Sequence, residues 1–307
     1  MPYKLYPFII MKIGIDLGGT KIEIITLNDS GKEFYRKRVA TPKDSYQTIL
    51  NTISELVFDT ETRFNSKGSV GICTPGAISP KTDLLRNSST SSLNNKPFKQ
   101  DLENRLNRKI AIANDANCFA LSESVDGAGQ DSSIIFGVIV GTGTGAGIVI
   151  DRQVLVGSNS IAGEWGHNPL PWPNTNELPG MDCYCGKKGC IETWLSGPGL
   201  SKNHHLASQQ LLDPTQIVLQ AEKGCTICED SLIKYEDRMA RGLSHIINII
   251  DPDVIILGGG MSNISRLYNN IPKIWHKYIF SDHINTQLRP PFHGDSSGVR
   301  GAAWLGS

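Results

Sequence analysis

Lys12-Ile13-Gly14-Ile15-Asp16-Leu17-Gly18-Gly19-Thr20-Lys21-Ile22-Glu23-Ile24-Ile25-Thr26 is the stretch on which the fold turns. Lys12 to Leu17 reads as a strand and Gly18 to Lys21 as a tight turn. The alternation of Ile22, Ile24 and Thr26 reads as a second strand, completing a β-hairpin. The pattern returns further on. Ile134 to Val140 is a strand, Gly141-Thr142-Gly143-Thr144-Gly145 a turn, and Gly147 to Ile150 a strand. Two glycine-turned hairpins, each opening a run of mixed strands and helices, indicate a divergent internal duplication.

Between and beyond the hairpins the periodicity changes. Ile49, Ile53, Leu56 and Val57 are spaced by three and four, which predicts a helix over Tyr46 to Phe58. Val70 to Cys73 is a short strand ending at Thr74-Pro75-Gly76. Lys109 to Ala113 is another, ending at Asn114-Asp115 before a helix to about Ser124. Met239 to Ile250 reads as a helix. Asp253 to Leu257 is a strand that runs into Gly258-Gly259-Gly260, and Asp295 or Ser296 caps a short helix through Trp304. Alternating strands and helices predict an α/β fold. The expected division is a lobe over 11–113, with a terminal helix at about 295–307 packing back on it, and a lobe over 114–294. The second lobe carries a Pro- and Cys-rich inserted loop at 167–190. Residues 1–10 are short, contain prolines and lack a small-residue cleavage site. They read as an extension ahead of Met11, not as a signal peptide.

The 307 residues are enough for two packed domains. Lys plus Arg and Asp plus Glu both number 30, so no broad basic field invites nucleic acid or an anionic membrane. No apolar run reaches the ~20 residues of a membrane span. Seven cysteines, three of them within eight residues, without an export signal favour a cytoplasmic protein with a metal site over a disulfide framework.

Neither turn fits the common nucleotide motifs. Lys21 lies too early for a P-loop, a strand follows the turn where a P-loop or Rossmann fingerprint needs a helix, and the glycine spacing after Gly141 is wrong. Either turn by itself is an ordinary hairpin, where glycine is expected. Two of them, together with Gly258-Gly259-Gly260, point to a nucleotide site. Bare backbone at Gly18, Gly19, Gly141, Gly143 and Gly145 lets N–H groups approach phosphate oxygens, with Thr20, Lys21, Thr142 and Thr144 beside them. Asp16, at a strand end facing that site, can hold Mg²⁺ through water.

Cys183, Cys185 and Cys190 offer three thiols in one small loop, and His167 upstream can supply a fourth ligand. Zinc prefers such a tetrahedral N/S set, and four protein ligands make a closed, structural site. Gly186 and Gly189 permit the curvature a metal knuckle needs. Cys225-Thr226-Ile227-Cys228 is read as incidental, and His204-His205 as a solvated pair.

Taken together, these residues resemble the ROK family of bacterial repressors and sugar kinases. The resemblance runs from Met11 almost to the end. It rests on Ile15 to Lys21, Asn114 to Cys118, Val140 to Gly143, Gly163-Glu164-Trp165-Gly166-His167, and the Cys-x-Cys-Gly-x-x-Gly-Cys-x-Glu run from Cys183 to Glu192. Within the family, Glu164 to Trp172 and His293 to Trp304 look most like fructokinases of the manno(fructo)kinase type. The resemblance implies an actin-like ATPase (ribonuclease H-like) fold with two lobes and a central cleft. It implies a homodimer that uses MgATP to phosphorylate a hexose 6-hydroxyl. Asp115 would be the general base, while Gly76, Asn87, Asn114, Glu164, His167 and Glu192 would contact the sugar or orient its neighbours. Kinases of the same family that act on glucose, N-acetylglucosamine or N-acetylmannosamine are the alternative. The family's repressors place a winged helix-turn-helix ahead of the core, for which ten residues leave no room. A zinc-ribbon interaction protein would leave the paired hairpins unexplained.

Overall fold

The computed structural model describes residues 11–42, 45–88 and 90–306; the leader lies outside them. The chain divides into two units. One takes in the chain up to Asp126, the segment Val156–Ala162, and the stretch from Asp295 onward. The other comprises Gly127–Leu155 and Gly163–Gly294.

In the first unit the opening hairpin forms as read. β1 (Met11–Leu17) pairs antiparallel with β2 (Lys21–Leu27), and β2 with β3 (Glu33–Ala40). α1 (Tyr46–Phe64) returns the chain so that β4 (Gly68–Cys73) joins β1 in parallel, a pairing that needs a crossover. α1 outruns its apolar period, which fades after Phe58. Thr60 keeps the inner face buried by donating its hydroxyl to the Leu56 carbonyl at 2.7 Å. A small hairpin of β5 (Ala77–Ile78) and β6 (Leu85–Arg86), then α2 (Phe98–Leu106), lead to β7 (Ala111–Ala113), parallel to β4. The sheet order is β3-β2-β1-β4-β7.

α3 (Asp115–Val125) also belongs to this unit, so the division falls at Asp126, a helix later than the sequence suggested. The cause is the C-terminal helix, Ser297–Leu305. Its Gly301 lies so close to α3 that a Cβ there would overlap the Cys118 carbonyl. On its other side, a Cβ at Gly14 or Gly71 of the sheet would overlap the carbonyl of Val299 or Ala302. Helix and sheet meet backbone to backbone, which is why the run from Ser297 to Ala303 is made mostly of small residues.

In the second unit β8 (Ile134–Val140), β9 (Thr144–Ile150) and β10 (Gln153–Val154) form an antiparallel meander. After α4 (Ile191–Leu195), α5 (Gly197–Ser208), α6 (Pro214–Glu222) and α7 (Thr226–Ile250), β11 (Val254–Gly258) joins β8 in parallel. α8 (Arg266–Ile274) then leads to β12 (Gln287–Arg289), parallel to β11. The order β10-β9-β8-β11-β12 repeats that of the first sheet strand for strand. The duplicated hairpin is matched by a duplicated topology.

Three local expectations change. Thr144 and Gly145 lie in β9, paired with Val140 and Ile139, so the second turn is only Gly141-Thr142-Gly143. α7 starts at Thr226, with Cys225 as its N-cap, because Cys228, Leu232 and Tyr235 extend its buried face well upstream of Met239. His204 is not solvated. It is 1% exposed, with Nδ1 at 2.9 Å from the Ser231 hydroxyl, because α5 packs that edge on α7. Among the described residues, no helix is long and apolar enough to cross a membrane.

Candidate active site and metal loop

In the first unit the residues singled out by sequence collect at the ends of β1, β4 and β7. The register pairs Asp16 with Cys73, and Cys73 with Ala113. Burial pushes the Asp16 carboxyl above its ordinary range. The Cys73 thiol, donating to it, works the other way, and the charges of Glu23 and Asp115 add to the rise. A desolvated carboxylate beside two others is a place where a cation relieves repulsion, so Asp16 fits the Mg²⁺ role.

The Gly18–Lys21 turn is closed by Gly18 N–H donating to the Lys21 carbonyl at 3.0 Å and pinned by the Thr41 hydroxyl on the Gly18 carbonyl at 2.7 Å. Gly19, Thr20 and Lys21 are exposed, and a Cβ at Gly19 would meet nothing within 4 Å. The fold leaves this backbone open.

Asn114 is the N-cap of α3 and accepts the Asn117 amide at 2.8 Å. Asp115, the first helical residue, accepts the Ala116 amide at 2.9 Å. Asp115 is exposed to solvent. Desolvation by the surrounding protein nevertheless pushes its carboxyl up, against the pull of the backbone N–H groups. Gly76, at φ +90°, packs against Arg86 and Asn87 with no space for a side chain, and Asn87 itself is left-handed at φ 57°.

The second unit assembles its own glycine cradle. Gly141 N–H donates to the Gly143 carbonyl at 2.9 Å, and the Gly141 carbonyl accepts Gly197 N–H, the start of α5, at 2.8 Å. Gly258 ends β11. Gly259, at φ +76°, crosses Val140 so closely that a Cβ would come within 2.5 Å of its carbonyl oxygen. Gly260 is exposed and open, and its N–H lies 4.0 Å from where a Gly141 Cβ would stand. The turn and the triple glycine are therefore neighbours. Thr142 is exposed at the tip, whereas Thr144 is buried. Glu192, from α4, reaches the same turn and accepts the Thr144 amide at 2.9 Å.

Gly163 to His167 run along β9: Ala146 N–H donates to the Gly163 carbonyl at 3.2 Å, and a Cβ at Gly166 would overlap the Thr144 carbonyl. Trp165 anchors the segment, its indole N–H donating to the Gly242 carbonyl at 3.2 Å. Glu164 is left exposed beside the half-buried His167. The His167 ring then meets the knuckle. His167 Nδ1 is 3.6 Å from Cys183 Sγ, and Cys185 Sγ is 3.6 Å from Cys190 Sγ. Ligand atoms of all four residues lie within 4.8 Å of one another. A Zn–S bond of ~2.3 Å sets sulfurs ~3.8 Å apart around a tetrahedron, so the donor set and its spacing fit zinc. His167 Nε2 is held by the Tyr184 hydroxyl at 2.8 Å, which leaves Nδ1 as the ligand atom. The Cys225/Cys228 pair forms no such group among the described residues.

One cluster escaped the sequence reading. Glu177, in the inserted loop, accepts Arg238 Nε at 2.7 Å and Arg241 Nη1 and Nη2 at 2.9 Å, and it also takes the Asn174 amide. Burial pushes its carboxyl up, but the bonds from Arg241 and Arg238 outweigh that and bring it down to about 2. Arg241 also donates to the carbonyls of Pro171 and Trp172. The loop is thus riveted to α7. Two arginines, at positions 238 and 241, among the buried residues of an amphipathic helix were the available signal.

Two glycine-turned halves of one topology, a strand-end aspartate beside a second carboxylate at a helix start, and a Cys₃His loop define a sugar kinase of the actin-like ATPase fold. The chain belongs to the ROK family, whose profile matches residues 12–307. It is 37% identical over 300 residues to the N-acetyl-D-glucosamine kinase of Mannheimia succiniciproducens, covering 96% of this chain and 99% of that one. The corresponding kinase of Pasteurella multocida is 36% identical over 304 residues, with the same coverage. Among solved structures, the ROK hexokinase of Thermus thermophilus matches with a TM-score of 0.85 and 28% identity, over 96% of this chain and 97% of its own. The ROK family glucokinase of Streptomyces griseus, in complex with glucose and AMPPNP, matches with a TM-score of 0.72 and 26% identity, over 95% and 98%. The protein is an ATP-dependent hexose kinase.

Proposed function

We propose that the enzyme transfers the γ-phosphoryl group of MgATP to the 6-hydroxyl of fructose, with Asp115 as the general base. The observation that carries the chemistry is a desolvated aspartate relieved of capping duty by its neighbour Asn114. A carboxylate whose proton affinity is raised above that of a free aspartate is better suited to take a hydroxyl proton. Backbone N–H groups at Gly18–Lys21 and Gly141–Gly143 hold the phosphates, and Gly258–Gly260 complete the nucleotide site. Magnesium, held through water by Asp16, supplies positive charge against the charge that develops during transfer. Asn87, Glu164, His167 and Glu192 bind or orient the sugar. Zinc on His167, Cys183, Cys185 and Cys190 braces the loop that lies between Glu164 and Glu192.

Fructose is favoured by the stretch from Glu164 to Trp172 and the ending from His293 to Trp304, which resemble fructokinases. N-acetylglucosamine is the second reading, favoured by the named activity of relatives at 36–37% identity. A coupled ADP-release assay over fructose, mannose, glucose, N-acetylglucosamine and N-acetylmannosamine separates them. The fructose reading requires the highest kcat/KM with fructose. A higher value with N-acetylglucosamine transfers the assignment to that sugar and leaves the kinase intact.

A further inference from the structure

We infer that Glu192 is a positioning residue for the nucleotide: it straps the metal loop to the glycine turn at Gly141–Gly143, so that nucleotide affinity depends on the state of that loop. This rests on the reading of that turn as a phosphate site and of the Cys₃His cluster as a metal site.

The connection is short and continuous. Cys190 is at once a member of the cluster and the N-cap of α4. It is tied back to the loop by the main chain: the next residue, Ile191, donates its N–H to the Asn168 carbonyl at 2.9 Å. Two residues after Cys190, Glu192 Oε2 accepts the Thr144 amide at 2.9 Å. The same oxygen stands 2.8 Å from where a Gly143 Cβ would be, so Gly143 must lack a side chain for the carboxylate to lie against the turn. α4 is only five residues long, and directly after it Gly197 N–H binds the Gly141 carbonyl at 2.8 Å. Both ends of the turn are therefore held by residues 192–197, a segment that begins two residues after the cluster cysteine Cys190. Binding phosphate asks the turn to keep its N–H groups aimed without reorganising. A charged hydrogen bond to a main-chain amide is the stronger kind and suits that task.

The test measures MgADP binding by calorimetry without sugar, so that any sugar contact of Glu192 is out of play. Glu192→Ala is expected to weaken MgADP about 10-fold, the loss of one hydrogen bond to a charged group. Glu192→Gln, whose amide oxygen still accepts from Thr144, is expected to stay within about threefold of the parent. Cys183→Ser, which touches the loop but not the turn, is expected to weaken MgADP in the same direction as Glu192→Ala. Should thermal melts show that Glu192→Ala is unfolded, Glu192→Asp, one methylene too short to reach Thr144, takes its place with the same expectation. Unchanged MgADP affinity in Glu192→Ala overturns the strap. Equal losses in the Ala and Gln variants overturn it too, since the Gln oxygen still accepts the Thr144 amide. Absence of MgADP binding by the parent protein shows instead that the nucleotide reading has failed, and the inference goes with it.

Discussion

Asn114 Oδ1 accepts the main-chain amide of Asn117 at 2.8 Å, and this one bond separates two roles that the sequence leaves entangled at Asn114-Asp115. With Asn114 as the cap, α3 does not need the Asp115 carboxylate to start.

Asp115→Asn is therefore expected to melt within a degree or two of the parent while kcat falls by about 10²–10⁴-fold. Sugar affinity is expected to survive, because an amide oxygen still accepts a hydrogen bond. Normal turnover in this variant would sink the general-base assignment. The parent enzyme also carries a pH signature. A base works deprotonated, and desolvation by the surrounding protein holds Asp115 above the ordinary aspartate range. The acid limb of kcat/KM is expected to bend above the ~4 of a free aspartate.

Elemental analysis is expected to find about one zinc per chain. Cys183→Ser removes a ligand whose backbone also closes the knuckle, with Cys183 N–H on the Lys187 carbonyl at 2.8 Å. Metal content and melting temperature are both expected to fall. A metal-free preparation with full stability and activity would remove zinc from the account.

Glu177→Ala leaves the buried Arg238 without a carboxylate and Arg241 with Asp237 alone, a change expected to cost about 3 kcal/mol in chemical denaturation. The parent is expected to show the same link under acid. The Glu177 carboxyl is lowered from 4.5 to about 2 in the folded chain. Its stabilisation is thus complete above 4.5 and is lost as pH falls through about 2. A denaturation series in the Ala variant should lose that part of the acid dependence.

The C-terminal helix gives a purely steric test. Gly301→Ala drives a Cβ into the Cys118 carbonyl, backbone against backbone, and is expected to cost about 1–3 kcal/mol or more. Gly19→Ala meets nothing within 4 Å and is expected to leave the melt unchanged. If the two variants were equally stable, the close packing of that helix would be refuted.

Both hairpins, the Cys₃His set and the α/β alternation are legible in the chain because each depends on neighbours in sequence. Strand periodicity, turn glycines and ligand spacing are local properties. Where local signals ran out, the reading stopped short: α1 continues past its apolar period on Thr60, and α7 begins upstream of Met239 on Cys228 and Tyr235. What only the tertiary structure decided is partnership between distant segments. Nothing near His204 in sequence says that Ser231 will receive it, and nothing near Glu177 names Arg238 and Arg241. Glu192 was singled out from its motif, but its bond to Thr144, 48 residues away, comes from the packing of α4 on the start of β9. A buried polar atom needs a partner, and in this chain the segments that bring those partners are chosen by how helices and loop fold over the second sheet.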